Sequence, residues 1–399
     1  MHYGQFNGFR NWLIALSGGP VMVLRISGKD IGINMDAENP GDRVKGLLAE
    51  RGWSQSELAY VLGVTPATVN QIISTKRPIT PEMAKLLAAA FNCPAKDFAE
   101  LQSQWGLRNA PEPDPDVRDR AFAQSHFPLR EMVKRGWIND PKTGGGAHGE
   151  LCRFFGVNSL ESVGSLAHAA KKTSTSGPTG EQLAWLHRVR AIAREMPTSA
   201  YSKARLEAAI DRMALMREAP EETRHVARLL HEAGVRFVVV ESLPGGKIDG
   251  VCTWIDASSP VIGLSLRFDR VDNFWFVLRH ECAHVLHGHG KYAAIIDVDI
   301  KPSAQDISEE EVIANREAAE FCVPRAKMQS FYDRKYPFFS DIDIQAFAKI
   351  NRVHPGIVVG QLQHMSDNFR ILRQHLVNIR KFVVASAMTD GWGNHVTVS

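Results

Sequence analysis

His280-Glu281-Cys282-Ala283-His284 constrains this chain more than any other stretch, because an HExxH pentad does its chemistry only on a helix. The pentad closes an apolar run, Asp272–Arg279, that contains no Gly or Pro, so the pattern predicts a helix. On a helix, positions four apart share a face. Two imidazoles so placed can bind one Zn²⁺ at roughly 2.0–2.1 Å each. Glu281 then falls beside the ion, where it can take a proton from a water whose pKa the ion lowers to about 7. That is the chemistry of metal-assisted peptide hydrolysis.

A pentad can arise by chance in a chain with 15 His, so a third ligand matters. Past Lys291–Ser308, read as a loop, Glu309–Pro324 shows a second helix pattern with an acidic start and a Pro stop. Glu311 and Asn315 are four apart, which lets a ligand carboxylate and a supporting amide both face the first helix. Two His plus Glu311 leave the fourth zinc position open, as a catalytic site requires. Glu309 and Glu310 read as solvated charges at the positive end of the helix dipole. A metzincin needs Gly at 287 and His at 290; this chain has His287 and Gly290, so that class fails. His287 lies about 10 Å along the axis from His280. It and His289 are therefore expected on the rim.

Phe276–His287 together with Glu311-x-x-Ala314-Asn315 and Pro324 resembles the ImmA/IrrE family of bacterial metallopeptidases. Val235–Val240, the turn Leu243–Gly250 and Val261–Leu266 look like the short strands that precede the zinc helix in that family. The likeness covers about 215–325 and implies a zincin-like domain with Zn²⁺ on His280, His284 and Glu311, and Glu281 as general base and then acid. It departs from the usual pattern at Val277-Leu278-Arg279 and Phe321-Cys322-Val323. Family members act in phage, mobile-element and stress regulation, where several cleave a DNA-binding repressor.

From Gly41 to Trp105 the chain reads as a helical bundle. Asp42–Arg51 is an amphipathic helix stopped by Gly52. Ser54-Gln55-Ser56-Glu57 opens a second helix as a capping box, and Gly63 ends it. Thr65-Pro66 opens a third, with Thr as cap and Pro at the first helical position. Ala59, Gly63 and Val69 carry the small residue, turn glycine and β-branched residue that a helix-turn-helix needs. In such motifs the third helix enters the major groove by its N-terminal residues. That makes Thr65, Ala67, Thr68, Asn70 and Gln71 candidate base contacts, since amides bond adenine edges and methyls touch thymine. Gln55, Lys76 and Arg77 suit phosphates. Arg51–Ala59, Val64–Asn70 and Lys76–Glu82 resemble the Xre/HigA-type helix-turn-helix domain, which implies an antitoxin-like protein that binds double-stranded promoter DNA as a homodimer.

The resulting expectation is a mostly α protein with a small β component (α+β). It comprises a poorly ordered extension at 1–34, a helix-turn-helix domain at 38–105 and a helical connector at 106–215 with linkers at 110–116 and 171–180. A peptidase domain at 216–335 and a helical extension at 336–399, frayed from Asp390, complete it. Met35 is an alternative start. Long helices are expected at Gln182–Met196 and Ala200–Arg217. Net charge is only +3, so DNA affinity must lean on dimerisation and base contacts. No 18-residue apolar run predicts a membrane span, and five scattered Cys fit a reducing cytoplasm. The reading that follows is a DNA-binding regulator with a zinc endopeptidase domain directed at a protein substrate or toxin partner. The alternative keeps DNA binding and zinc but makes the metal domain a non-catalytic sensor or docking module.

Overall fold

The computed structural model describes residues 39–114, 116–142, 145–160, 162–163, 170–172, 177–291, 294–298 and 308–398. The expected extension at 1–34 and Met35 lie outside them, as do parts of the linkers read at 110–116 and 171–180 and of the loop read at 291–308. The chain divides into two compact units, 1–113 and 114–399.

The described residues of the first unit form five helices: α1 (Pro40–Arg51), α2 (Gln55–Leu62), α3 (Pro66–Ile73), α4 (Pro81–Phe91) and α5 (Ala95–Arg108). Local chemistry sets each boundary. Ser54 and Glu57 form the complete capping box, and Gly63 closes α2 with φ of 67°. Thr65 caps α3 through the Thr68 N–H, and Thr80 caps α4 through that of Met83. Leu58, Ala59, Val69, Ile72 and Leu87 fill the core between the helices. At Gly41 an added Cβ would sit 2.1 Å from the Ile73 carbonyl oxygen, so glycine permits α1 to cross α3.

The second unit is built on a mixed sheet of six strands: β1 (Ala170–Lys172), β2 (Arg236–Val240), β3 (Ile248–Trp254), β4 (Pro260–Leu264), β5 (Ala294–Val298) and β6 (Met388–Asp390), in the order β1-β5-β3-β4-β2-β6. With the helices that surround it, this is the α+β class. Alternation along the strands feeds two cores. Val238 and Val240 face a layer of α6 (Asp116–His126), α7 (Leu129–Lys134), α8 (Gly146–Phe155) and α9 (Gly180–Glu195). Phe237 and Val239 face α10 (Lys203–Ala214), α11 (Val226–Ala233), α12 (Val271–His287), α13 (Glu309–Cys322), α14 (Arg325–Lys335), α15 (Asp341–Asn351), α16 (Pro355–Met365) and α17 (Arg380–Val384).

Several elements differ from the sequence reading. The presumed turn 243–250 runs into β3, whose first residues Ile248-Asp249-Gly250 carry too little apolar alternation to read as strand, and a bulge between Ile248 and Gly250 breaks the period. β5 lies in the stretch read as a loop, and β1 ends within the stretch read as a linker at 171–180. The chain from Asp390 is not frayed at its start: Asp390 is buried in β6 and accepts hydrogen bonds from Trp137 Nε1 at 2.8 Å and Arg188 Nε at 2.5 Å. α9 and α10 correspond to the two long helices expected there, and α15 and α16 fall within the helical extension expected at 336–399. No helix among the described residues is long and apolar enough to cross a membrane.

Candidate metal centre and helix-turn-helix face

Apolar residues of α12, among them Phe274, Trp275, Leu278, Cys282 and Val285, sit in the core and fix the helix's rotation. That rotation leaves His280 and His284 aimed at α13. The α12 helix ends at Gly288, whose φ of 71° turns the chain back on itself. α13 starts at Ser308, whose side chain caps the Glu311 N–H, so Glu311 occupies the first turn where the dipole favours a carboxylate.

The three side chains converge. His280 Nε2 and His284 Nε2 are 3.0 Å apart. Glu311 Oε2 lies 3.3 Å from His280 Nε2, and Oε1 3.3 Å from His284 Nε2. Donors bonded tetrahedrally to one zinc at roughly 2.0–2.1 Å stand about 3.3–3.4 Å from each other. The two imidazole-to-carboxylate separations match that spacing and the 3.0 Å between the rings falls slightly short of it, so a small outward shift of the rings would admit such an ion. Burial raises the Glu311 carboxyl, but hydrogen bonds from His280 and His284 outweigh it and hold the group below the ordinary carboxylate range. His280, Glu281 and His284 have no exposed surface.

Glu281 packs against the sheet: a Cβ at Gly250 would lie 2.1 Å from its Oε1, so only glycine lets β3 pass the carboxylate. Cys282, inside the pentad, is fully buried, and burial pushes its thiol up to about 12, which keeps it an inert packing group.

The expected supporting amide plays a different part. No hydrogen bond among the described residues joins Asn315 to the ligand residues, and its Oδ1 is buried without a donor. Glu311 directs both its oxygens at the two rings. The outer contact comes instead from His289, whose Nδ1 is 3.0 Å from His284 Nδ1. Burial, reinforced by His284, lowers the His289 pKa, which favours a neutral ring able to accept a hydrogen bond in the tautomer that places the His284 hydrogen on Nδ1 and leaves its Nε2 free for a metal. The His289 carbonyl is held in turn by Trp254 Nε1 at 2.8 Å. His287 is an exposed partner of Glu317 at 2.8 Å, and Arg279 reaches the other Glu317 oxygen at 2.8 Å, so α12 and α13 are tied beside the centre.

In the first unit, Gln55, Thr65, Ala67, Asn70, Gln71, Lys76 and Arg77 are exposed and Thr68 is half-exposed. Val69, Ile72 and Ile73 take the opposite face of α3 into the core. Asn70 Nδ2 donates to Gln55 Oε1 at 3.3 Å, which pairs the two amides across the turn. Thr65 Oγ1 is engaged by the Thr68 N–H at 3.2 Å and lies 3.0 Å from the Thr68 hydroxyl.

Residues 44–98 match the helix-turn-helix family, and residues 231–349 match the IrrE N-terminal-like domain of the M78 peptidases. An uncharacterized HTH-type transcriptional regulator of Escherichia coli (strain K12), YddM, is 31% identical over 71 residues, 18% of this chain and 76% of that relative. The chain belongs to the helix-turn-helix family of transcriptional regulators. This regulator joins a DNA-binding unit to a domain of a metallopeptidase family. Three residues around the metal centre carried no clear sequence signal for their contacts: Gly250, Glu317 and His289. Only His289 had a usable hint, since Gly288 and Gly290 bracket it and a glycine-capped helix end returns the chain over its last turn.

Proposed function

We propose that this regulator binds an operator in its own promoter as a homodimer, in the manner of HigA-like antitoxins, and hydrolyses a regulatory protein partner with zinc held by His280, His284 and Glu311. Bound zinc supplies Lewis-acid polarisation and brings the pKa of a water to about 7. Glu281 accepts the proton of the attacking water and returns it to the leaving amine. His289 holds the His284 ring in one tautomer, and Gly250 admits the Glu281 carboxylate against β3. The convergence of two Nε2 atoms and one carboxylate within 3.0–3.3 Å carries this reading. Asn70 and Gln71 would read base edges, Ala67, Thr68 and Thr65 would contact methyls and backbone, and Gln55, Lys76 and Arg77 would hold phosphates.

A second reading makes the metal domain a sensor or docking module, and the complete burial of His280, Glu281 and His284 favours it. The variant Glu281→Gln separates the two. Under the peptidase reading it keeps its zinc, loses cleavage of the partner protein and loses derepression in cells. Unaltered regulation in cells carrying Glu281→Gln sinks the enzymatic reading in favour of the sensor.

A further inference from the structure

A cavity of about 890 Å³ in the second unit is not the metal centre; it opens between α9, α8 and the end of β3. Its size falls in the range of small-ligand sites, roughly 300–1,000 Å³. His187, Arg190 and Arg194 line it from one face of α9, three and four residues apart. Lys291 lines it from the other side, its ammonium 4.6 Å over the Trp254 ring.

The charges in this wall do not cancel. Arg188 is neutralised by Asp390, and Arg153 by the buried Glu150. No carboxylate pairs with Arg190, Arg194 or Lys291 among the described residues, and Asp256 is the only other acid in the wall. Arg190 is half-buried and its one hydrogen bond goes to the neutral Thr253 hydroxyl, at 2.8 Å. Burial first, and Arg194 second, push its guanidinium pKa down. Burial, with Arg194 and Arg190, lowers His187 to about 4, so that ring stays neutral at physiological pH. A cation kept half out of water beside a like charge is unfavourable until an anion arrives. The aromatic lining of Phe154 and Trp137, stacked at 6.0 Å, gives a flat apolar wall beside these cations.

We infer that this cavity binds a nucleoside polyphosphate, with its phosphates on Arg190, Arg194 and Lys291. Two guanidinium forks and an ammonium call for several negative charges in one ligand, and guanidinium matches phosphate bidentately. The same wall leads to the metal centre, since Trp254 holds the His289 carbonyl and His289 contacts His284. The inference does not depend on peptide hydrolysis.

The test is calorimetric titration of the full chain with ATP, GTP and inorganic triphosphate, before and after removal of metal with a chelator. The expected result is saturable binding of one ligand per chain that survives metal removal and weakens at least tenfold in Arg190→Gln/Arg194→Gln. Arg228→Gln, an exposed change on α11, should leave it unaltered. If the double variant fails to fold, Lys291→Gln serves in its place, with loss in the same direction. Binding of inorganic triphosphate as tight as ATP still supports a polyphosphate cradle while removing the base from the recognised part. No saturable binding by any of the three, or binding indifferent to the substitutions or abolished by the chelator, overturns the inference.

Discussion

At the scale of single residues, the metal centre is held by contacts that sequence spacing reveals only in part. The i, i+4 geometry of a helix is enough to pair His280 with His284, and an acidic first turn with a Pro stop is enough to nominate Glu311. Gly250 and His289 reach the centre through β3 and through the chain reversal after Gly288, which depend on tertiary packing. Gly250→Ala must displace Glu281 or the strand, and overpacking of this kind costs about 1–3 kcal/mol; a thermal melt should show the loss, with zinc content retained. His289→Ala should leave the fold intact and weaken zinc by about 10–100-fold, the usual effect of removing a group that orients a ligand histidine, read by competition with a chromogenic chelator. Equal zinc affinity in the variant would reduce His289 to a packing residue.

Among the elements, helices with strong caps were legible and short strands were not. α2 and α3 follow from Ser54, Gly63, Thr65 and Pro66, whose side chains act on backbone groups a few residues away. β3 was hidden by its bulge and by Asp249 and Gly250, β5 by its short apolar run in a stretch whose Asp297, Asp299 and Pro302-Ser303 read as loop, and β6 by its brevity. Ser54→Ala should remove the arm of the capping box in which Ser54 Oγ accepts from the Glu57 N–H, leaving the backbone N–H to Glu57 arm, and cost about 1 kcal/mol, seen as a lower melting point of the N-terminal unit. On α3, Asn70→Ala with Gln71→Ala should cost operator discrimination of roughly 1–3 kcal/mol per base contact, with metal content unchanged, as mobility-shift titration against matched and scrambled DNA would show. On α9, His187 charges far less readily folded than unfolded, where the ordinary pKa is 6.5. The unfolded chain therefore takes up the proton first, and stability falls as pH drops from 6.5 towards about 4. His187→Gln should flatten that part of the melting temperature against pH; an unchanged slope would place the acid sensitivity elsewhere.

The whole molecule is a regulator in which the helix-turn-helix and the metallopeptidase-family domain with its candidate metal site occupy separate compact units, so substitutions in one should leave the other's readout untouched. The division was legible because each unit carries its own dense set of signals, caps in one and the HExxH pentad in the other. The cationic cavity was not, because Arg190 and Arg194 on α9 meet Lys291 only through the fold. The peptidase function proposed for the second unit rests on an ion held by His280, His284 and Glu311. The most direct measurement is the metal stoichiometry of purified protein by elemental mass spectrometry, wild type beside Glu311→Ala. We expect about one zinc per chain in the wild type, as one four-coordinate site requires, and loss or sharp reduction in the variant. A folded wild type that takes up no zinc on reconstitution, or a variant that keeps it in full, would contradict the account.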